Sequence, residues 1–321
     1  GAEEAVVPHA QAYLRVIALS LLFNMLSSVF SSPLRCMGDT HTPLKYNFTA
    51  IILNIIFNFL LIYPSRDMTV LGVTFPMFGA GLGVAGAAWG TALSLAVSAL
   101  LLFLSLCDKR REIHLLLNKE YIRPDKDILK KMVFLGVPTA MEQFITTSGQ
   151  VISTRIVSTL GTVSVAANTL AVSAESLSYM PAYGVSVATT TLVSQSIGAE
   201  KKDDAMKFGK IANRLGFCAM IFVGILLFLF AEPLIRLFTR DESVIPLAAA
   251  MLRIVAIAQP LNASCSILSG ALRGAADVKS PFFIGIFGMW GLRVPLALLF
   301  VFVFHWGLHG YWIAMVIDNM T

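Results

Sequence analysis

Three carboxylates and one guanidinium stand where water should be scarce. Glu142, Glu175 and Asp318 fall inside long apolar runs, and so does Arg293. They lie about 12, 12, 9 and 13 residues from the nearest end of their runs, which at 1.5 Å per residue is close to mid-membrane. Holding a charge there costs at least ~2.5–3.5 kcal/mol, so keeping four of them requires mutual pairing or a watery cavity. Glu142 has the fullest supporting pattern. Thr139, Glu142, Thr146, Gly149, Gln150 and Ser153 recur at helical spacing as a polar stripe on an apolar span, and such a stripe cannot face lipid. A carboxylate in that setting carries a proton, coordinates a cation or binds substrate; the plainer alternative is a salt bridge made for packing. Its helix is expected to begin at Gly136-Val137-Pro138, where Pro138 disturbs regular hydrogen bonding.

The remaining polar groups have less support. Glu175 has Asn168 one heptad before it and Tyr179 one turn after it. Arg293 reads as the counter-ion of one of the three acids, with contact to an anionic substrate as the alternative. Asn47, Asn54 and Asn58 form an amide row suited to cross-helix hydrogen bonds or to cation coordination by amide oxygens. Four cysteines (Cys36, Cys107, Cys218 and Cys265) lack metal-type spacing and read as small apolar fillers.

The elements that must position these groups are membrane helices. The 321 residues are 56% hydrophobic and 13% charged, with mean hydropathy +0.76. A soluble domain carries about 25% charged residues, so neither a soluble globule nor a disordered chain fits. No ten-residue alternating segments of the β-barrel kind occur, and the fold class is an all-α polytopic membrane protein. Apolar stretches at 13–34, 47–64, 81–106, 132–160, 163–195, 210–231, 244–272, 282–304 and 306–321 predict nine spans, the last cut short. The 163–195 stretch exceeds a straight crossing and contains Pro181 and Gly184, so a bent or broken helix is expected there. Of 24 Lys and Arg, 17 fall in the loops 35–45, 109–131, 201–214 and 273–279, against three in the opposite loops. That asymmetry places residue 1 outside and 109–131 in the cytoplasm of a multi-pass inner (plasma) membrane protein. Arg15 and Arg253, at equivalent positions near the outer face, are expected to snorkel.

The chain also repeats itself. Shifting it by 238 residues sets Pro8–Pro43 on Pro246–Pro281 with 13 identities in 36 positions, among them Asn24/Asn262, Arg35/Arg273, Asp39/Asp277 and Pro43/Pro281. After one further helix, GVAGAAW at 83–89 is similar to GLHGYWI at 307–313. Both LR…D…P loops lie on the cytoplasmic side, so the repeats run parallel, related by an axis along the membrane normal. The expected organisation is 1–108 as the later half of an amino-terminal lobe, 109–131 as a cytoplasmic linker and 132–321 as a second lobe. Three helices precede the repeated unit in the second lobe and none in the first, so about 110 preceding residues are expected. The opening GAEEAVVPHA has no basic region of the signal-peptide kind.

LRCMGDTHTP, LRGAADVKSP, VAGAAWGTALS, GVPTAMEQF and AANTLAVSAESLSYMPAYGVSVATTTLVSQSIGA, with RVPLALLF and GLHGYWIAMVID, together resemble the multidrug and toxic compound extrusion (MATE) family, its NorM-like branch above all. The resemblance covers essentially the whole chain. It implies twelve helices in two six-helix lobes around a central cleft, exporting organic-cation drugs in exchange for H⁺ or Na⁺, with this chain running from the fourth helix into the twelfth. Some members place an Asn and an Asp one turn apart in the fifth helix; Asn54 matches the first and Asn58 replaces the second. Others use a Glu in the seventh helix, where Glu142 stands. The tenth-helix Asp of some members has no counterpart in 244–276.

The expected function is therefore a secondary active antiporter working by alternating access, not an enzyme. Glu142 would switch occupancy, and Gln150, Glu175, Asp318, Arg293, Asn54, Asn58, Asn168 and Tyr179 would serve coupling or substrate binding. No nucleotide-binding loop or HExxH motif occurs in the sequence. No cofactor is expected beyond Na⁺ or H⁺ as coupling ion, and no metal. The expected partners are the lipid bilayer and organic-cation drugs, with no nucleic acid and a monomeric state. A flippase for a lipid-linked saccharide is the rival within transport, but it would want a strongly cationic cavity. A membrane enzyme or a channel is the rival outside it.

Overall fold

The computed structural model describes residues 7–70, 73–109, 114–115 and 125–320. They belong to two compact units, Gly1–Arg123 and Pro124–Thr321. In the first unit, α1 (Val7–Cys36) and α2 (His41–Ile62) each pack along α3 (Gly83–Leu106). Small residues on α3 permit the close approach. A Cβ at Gly86 would lie 2.5 Å from the Leu61 carbonyl oxygen, and Gly90 rests against the Asn58 side chain. Lipid offers no hydrophobic drive between helices, so such backbone proximity supplies the packing energy. Where an outer loop was expected between α2 and α3, an antiparallel hairpin forms from β1 (Pro64–Val70) and β2 (Val73–Ala80). This departs from the all-helical expectation. The segment is rich in Thr, Val and Phe and too short to span, which favours a strand pair over a loop.

The second unit contains α4 (Lys126–Ser158), α5 (Thr162–Gly198), α6 (Lys202–Leu229), the short α7 (Ala231–Phe238), α8 (Ile245–Gly274), α9 (Lys279–Ile286), α10 (Val294–Leu298) and α11 (Gly307–Met320). Its centre is α8, packed against α5, α6, α7 and α11. Met251, Leu252 and Val255 of α8 are fully buried, as is Trp312 of α11. Among the described residues six segments are long and apolar enough to cross a membrane: α1, α2, α3, α6, α8 and Lys279–Val303. The other three stretches expected to span are helical too. α4 and α5 run for 33 and 37 residues, but their polar faces lower their hydropathy, and α11 has 14 residues.

Three expectations about helix geometry are corrected. Of the bend or break expected in α5, the break does not occur: the helix runs on through Pro181 and Gly184. α4 passes through Pro138 and begins twelve residues before it at Lys126, capped by Asp125, whose Oδ1 accepts from the backbone N–H of Asp127 (2.8 Å) and Ile128 (3.3 Å). The last residues of the expected linker 109–131 are thus helical. The irregular segment is instead 279–303, read from sequence as a plain span. There π-helical turns at Phe287–Arg293 and Leu299–Val303 flank α10. Pro295 has no N–H and its ring crowds the carbonyl of Gly291, so the turn before it widens.

The internal repeat is visible in the backbone. Gly38 and Ala276, 238 residues apart, both adopt left-handed conformations (φ 83° and 62°), and Gly83 and Gly307 do the same (φ 53° and 58°). The following acids cap alike. Asp39 Oδ2 accepts from Thr42 Oγ1 and Asp277 Oδ2 from Ser280 Oγ, both at 2.6 Å. Hydrogen bonds from the Ser280 hydroxyl and backbone N–H hold the Asp277 carboxyl below the usual carboxylate range. A depressed folded-state pKa gives stability that is present above the ordinary value and lost as pH falls through the depressed one. Asp277→Asn is therefore expected to lower the melting temperature at pH 7. The gap to the parent protein should close as the pH is taken below the carboxylate range; a gap constant with pH would contradict the cap.

Candidate functional site

The polar stripe of α4 turns inward as its spacing demanded. Thr139, Glu142 and Thr146 are half-buried, Gly149 and Ser153 are buried, and Gln150 is exposed, off that line. Glu142 is ion-paired. Its Oε1 lies 2.6 Å from Arg273 Nη2, with the two side chains 18% and 39% exposed. Arg273 belongs to the last turn of α8, although its sequence position placed it among the cytoplasmic loop charges. The pair therefore joins the middle of α4 to the last turn of α8. Charge counting alone gave no sign of a side chain reaching back along its helix; the only available signal was Arg273 as the final basic residue of an apolar run.

Close packing on α5 fixes the end of α8 that carries Arg273. Ser186 Oγ donates to the Ser266 carbonyl (2.6 Å) and Thr190 Oγ1 to the Gly270 carbonyl (2.8 Å). Gly270 and Gly274, one turn apart, face these residues, and a Cβ at Gly274 would lie 2.6 Å from the Thr190 carbonyl oxygen. Gly274→Ala is expected to push α8 off α5 and destabilise the unit by ~1–3 kcal/mol, the usual cost of overpacking. Thermal unfolding in detergent measures it, and an unchanged midpoint would refute the close approach.

A cavity of about 900 Å³ opens beside the pair, lined by Met132, Leu135, Thr139 and Ser194 together with Glu142 and Arg273. Oε1 of the Glu142 carboxylate is satisfied by a guanidinium, while the buried Oε2 has no donor among the described residues. Nearby, Lys279 Nζ lies 5.4 Å from the centre of the Phe134 ring, joining the starts of α9 and α4.

The second cluster gathers around Arg293. Its Nε lies 2.6 Å from Asp318 Oδ2 and its Nη2 lies 3.2 Å from Asn319 Oδ1; the paired side chains are 14% and 11% exposed. The half-buried Glu175 is within Coulombic reach of the same guanidinium. Asn168 accepts from Trp312 Nε1 at 3.0 Å, whereas Tyr179 is 40% exposed and joins none of these contacts. The segment 279–303 ties the clusters together. Gly285 faces the Glu142 side chain and, one turn on, Gly288 lies against the Asp318 carboxylate. Trp290 Nε1 donates to the Ile145 carbonyl of α4 (3.2 Å). At Gly288 a Cβ would collide with the Asp318 carboxylate, whereas one at Gly285 would meet Glu142 at ordinary contact distance.

In the first unit the amide row is hydrogen-bonded across helices. Asn54 Nδ2 reaches Thr91 Oγ1 (3.3 Å) and Ser94 Oγ (3.4 Å), Asn58 Nδ2 reaches Asn54 Oδ1 (3.1 Å), and Ser98 Oγ reaches Asn47 Oδ1 (3.3 Å). Asn58 Oδ1 is buried without a partner among the described residues. The four cysteines form no disulfide, and Cys36, Cys218 and Cys265 are exposed, which an interior filler would not be. Among the described residues no group of three or more His, Cys, Asp or Glu could hold a metal ion.

A family model described as MatE matches residues 1–60 and 138–299. The chain is 34% identical over 316 residues to a probable multidrug resistance protein NorM of Thermotoga maritima, covering 98% of this chain and 65% of that protein. It spans about two thirds of that relative's length. A probable multidrug resistance protein NorM of Streptococcus pneumoniae is 29% identical over 318 residues, covering 99% of this chain and 68% of that protein. Among solved structures, a MOP superfamily transporter from Pyrococcus furiosus superposes with TM-score 0.88 at 25% identity, covering all of this chain and 68% of the other.

Proposed function

Since the chain belongs to the MATE family, we propose that the protein containing it is a secondary active multidrug exporter. It expels organic cations in exchange for H⁺ or Na⁺ by alternating access in the cell membrane. The observation that carries this reading is the Glu142 carboxylate: held at the middle of α4, beside an open cavity, with one oxygen bound to Arg273 and the other unsatisfied among the described residues. Such a group alternates between a proton or metal cation and an organic cation, because each neutralises the same charge in a low-dielectric setting. The family relatives named for multidrug resistance support drug export as the activity. Asp318 and Glu175, both under the charge of Arg293, tune the field around the site. Asn54 and Asn58 are assigned to helix association, because their amides are engaged with each other and with α3.

Extrusion of a fluorescent organic cation from vesicles holding the full-length protein tests this reading. Imposed H⁺ and Na⁺ gradients are applied one at a time. Extrusion driven by one of them is the expected result, and extrusion driven by neither removes the antiport mechanism.

A further inference from the structure

The ion pair at the cavity has a consequence for cargo binding. A free carboxylate would attract any organic cation that entered, but Glu142 is already occupied by Arg273 at 2.6 Å. That guanidinium is not a buried structural partner. It is 39% exposed, twice as much as Glu142, and it stands at the cavity lining on the end of a long flexible stem. Glu142 Oε2, on the same carboxylate, is buried and unsatisfied, so the acid retains capacity that Arg273 does not use. The backbone behind Arg273 is rigid, because Gly270 and Gly274 seat the last turn of α8 on Ser186 and Thr190. A mobile guanidinium on a fixed anchor beside an open cavity can swing off its acid and return without any rearrangement of α8.

Building on the Glu142 role proposed above, we propose that Arg273 is a tethered competitor of the transported cation. It neutralises Glu142 when the cavity is empty and must be displaced before a lipophilic organic cation can take the carboxylate. Cargo affinity is thereby held down, which favours release. Once displaced, the guanidinium stays near and re-takes the acid as cargo leaves, so Glu142 is never left as a bare charge in the membrane. Lys279 is directed elsewhere, onto the Phe134 ring, and does not substitute for Arg273.

Equilibrium binding of tetraphenylphosphonium to the purified full-length protein tests the tether. Arg273→Gln is expected to tighten binding by about tenfold or more, the scale of one charge-assisted hydrogen bond. Glu142→Gln weakens binding, and adding Arg273→Gln to it gives no tightening, since the competition acts only through the acid. Unchanged or weaker binding in Arg273→Gln overturns the proposal, as does tightening that persists without Glu142. Should Arg273→Gln fail to fold, Arg273→Lys carries the test. Its shorter point-charge head holds the carboxylate less firmly, so affinity still rises, and an unchanged or lower affinity overturns the tether. Failure here is separable from failure of the exporter reading. Loss of transport in Glu142→Gln with no Arg273 effect on binding sinks the tether alone, whereas transport that survives Glu142→Gln sinks the coupling role on which it rests.

Discussion

Replacing Glu142 by Gln in the full-length protein is expected to reduce gradient-driven efflux of an organic cation to the level of vesicles without protein. Gln keeps the volume and part of the hydrogen-bonding capacity, so the helix and cavity should survive. What it removes is the charge that, in the proposed cycle, a proton or metal cation, Arg273 and cargo neutralise in turn. Glu142→Asp keeps the charge but withdraws it by roughly one C–C bond, ~1.5 Å. The 2.6 Å contact to Arg273 then breaks or lengthens, and partial efflux with altered apparent affinity is the expected result. Full efflux in Glu142→Gln would leave the cavity without a coupling group.

The largest stability effect is expected at the other ion pair. Arg293 and Asp318 are only 14% and 11% exposed and 2.6 Å apart. Asp318→Ala leaves a guanidinium in a low-dielectric interior, with the Asn319 amide oxygen as a hydrogen-bond acceptor but no paired carboxylate. Removing one partner of such a pair costs ~3–5 kcal/mol, because the surviving charge stays desolvated. Pairing that change with Arg293→Met removes the stranded charge, and much of the loss should be recovered. Thermal or denaturant unfolding in detergent measures both. A single variant as stable as the parent, or a double variant worse than the single, would show that the pair does not secure the π-helical segment to α11.

These effects explain what could be seen in advance. The helices stand where the apolar runs placed them, because the bilayer imposes length and apolarity directly on sequence. The repeat was legible because two equal turns need equal residues: a left-handed position at 38 and 276, a capping acid at 39 and 277, and a proline at 43 and 281. The inward face of α4 was legible for a similar reason, since polar groups at helical spacing cannot all meet lipid. Partner choice was not. Hydropathy ends a span where charges begin, so Arg273 was counted with the loop even though its side chain returns to Glu142. Prolines misled in the opposite direction. Pro138 and Pro181 sit inside continuous helices, whereas the π-helical turns lie before Pro295 and after α10. A proline marks a lost hydrogen bond, but neighbouring helices decide whether the chain widens, bends or continues.

Counter-ion movement is the sharpest test of Glu142 as the coupling group. Vesicles carrying the full-length protein are loaded with organic cation, and H⁺ or Na⁺ entering as the drug leaves is recorded for the parent and for Glu142→Gln. Counter-ion entry strictly coupled to drug exit is expected in the parent, and none in the variant. Undiminished coupled entry in Glu142→Gln would contradict that role.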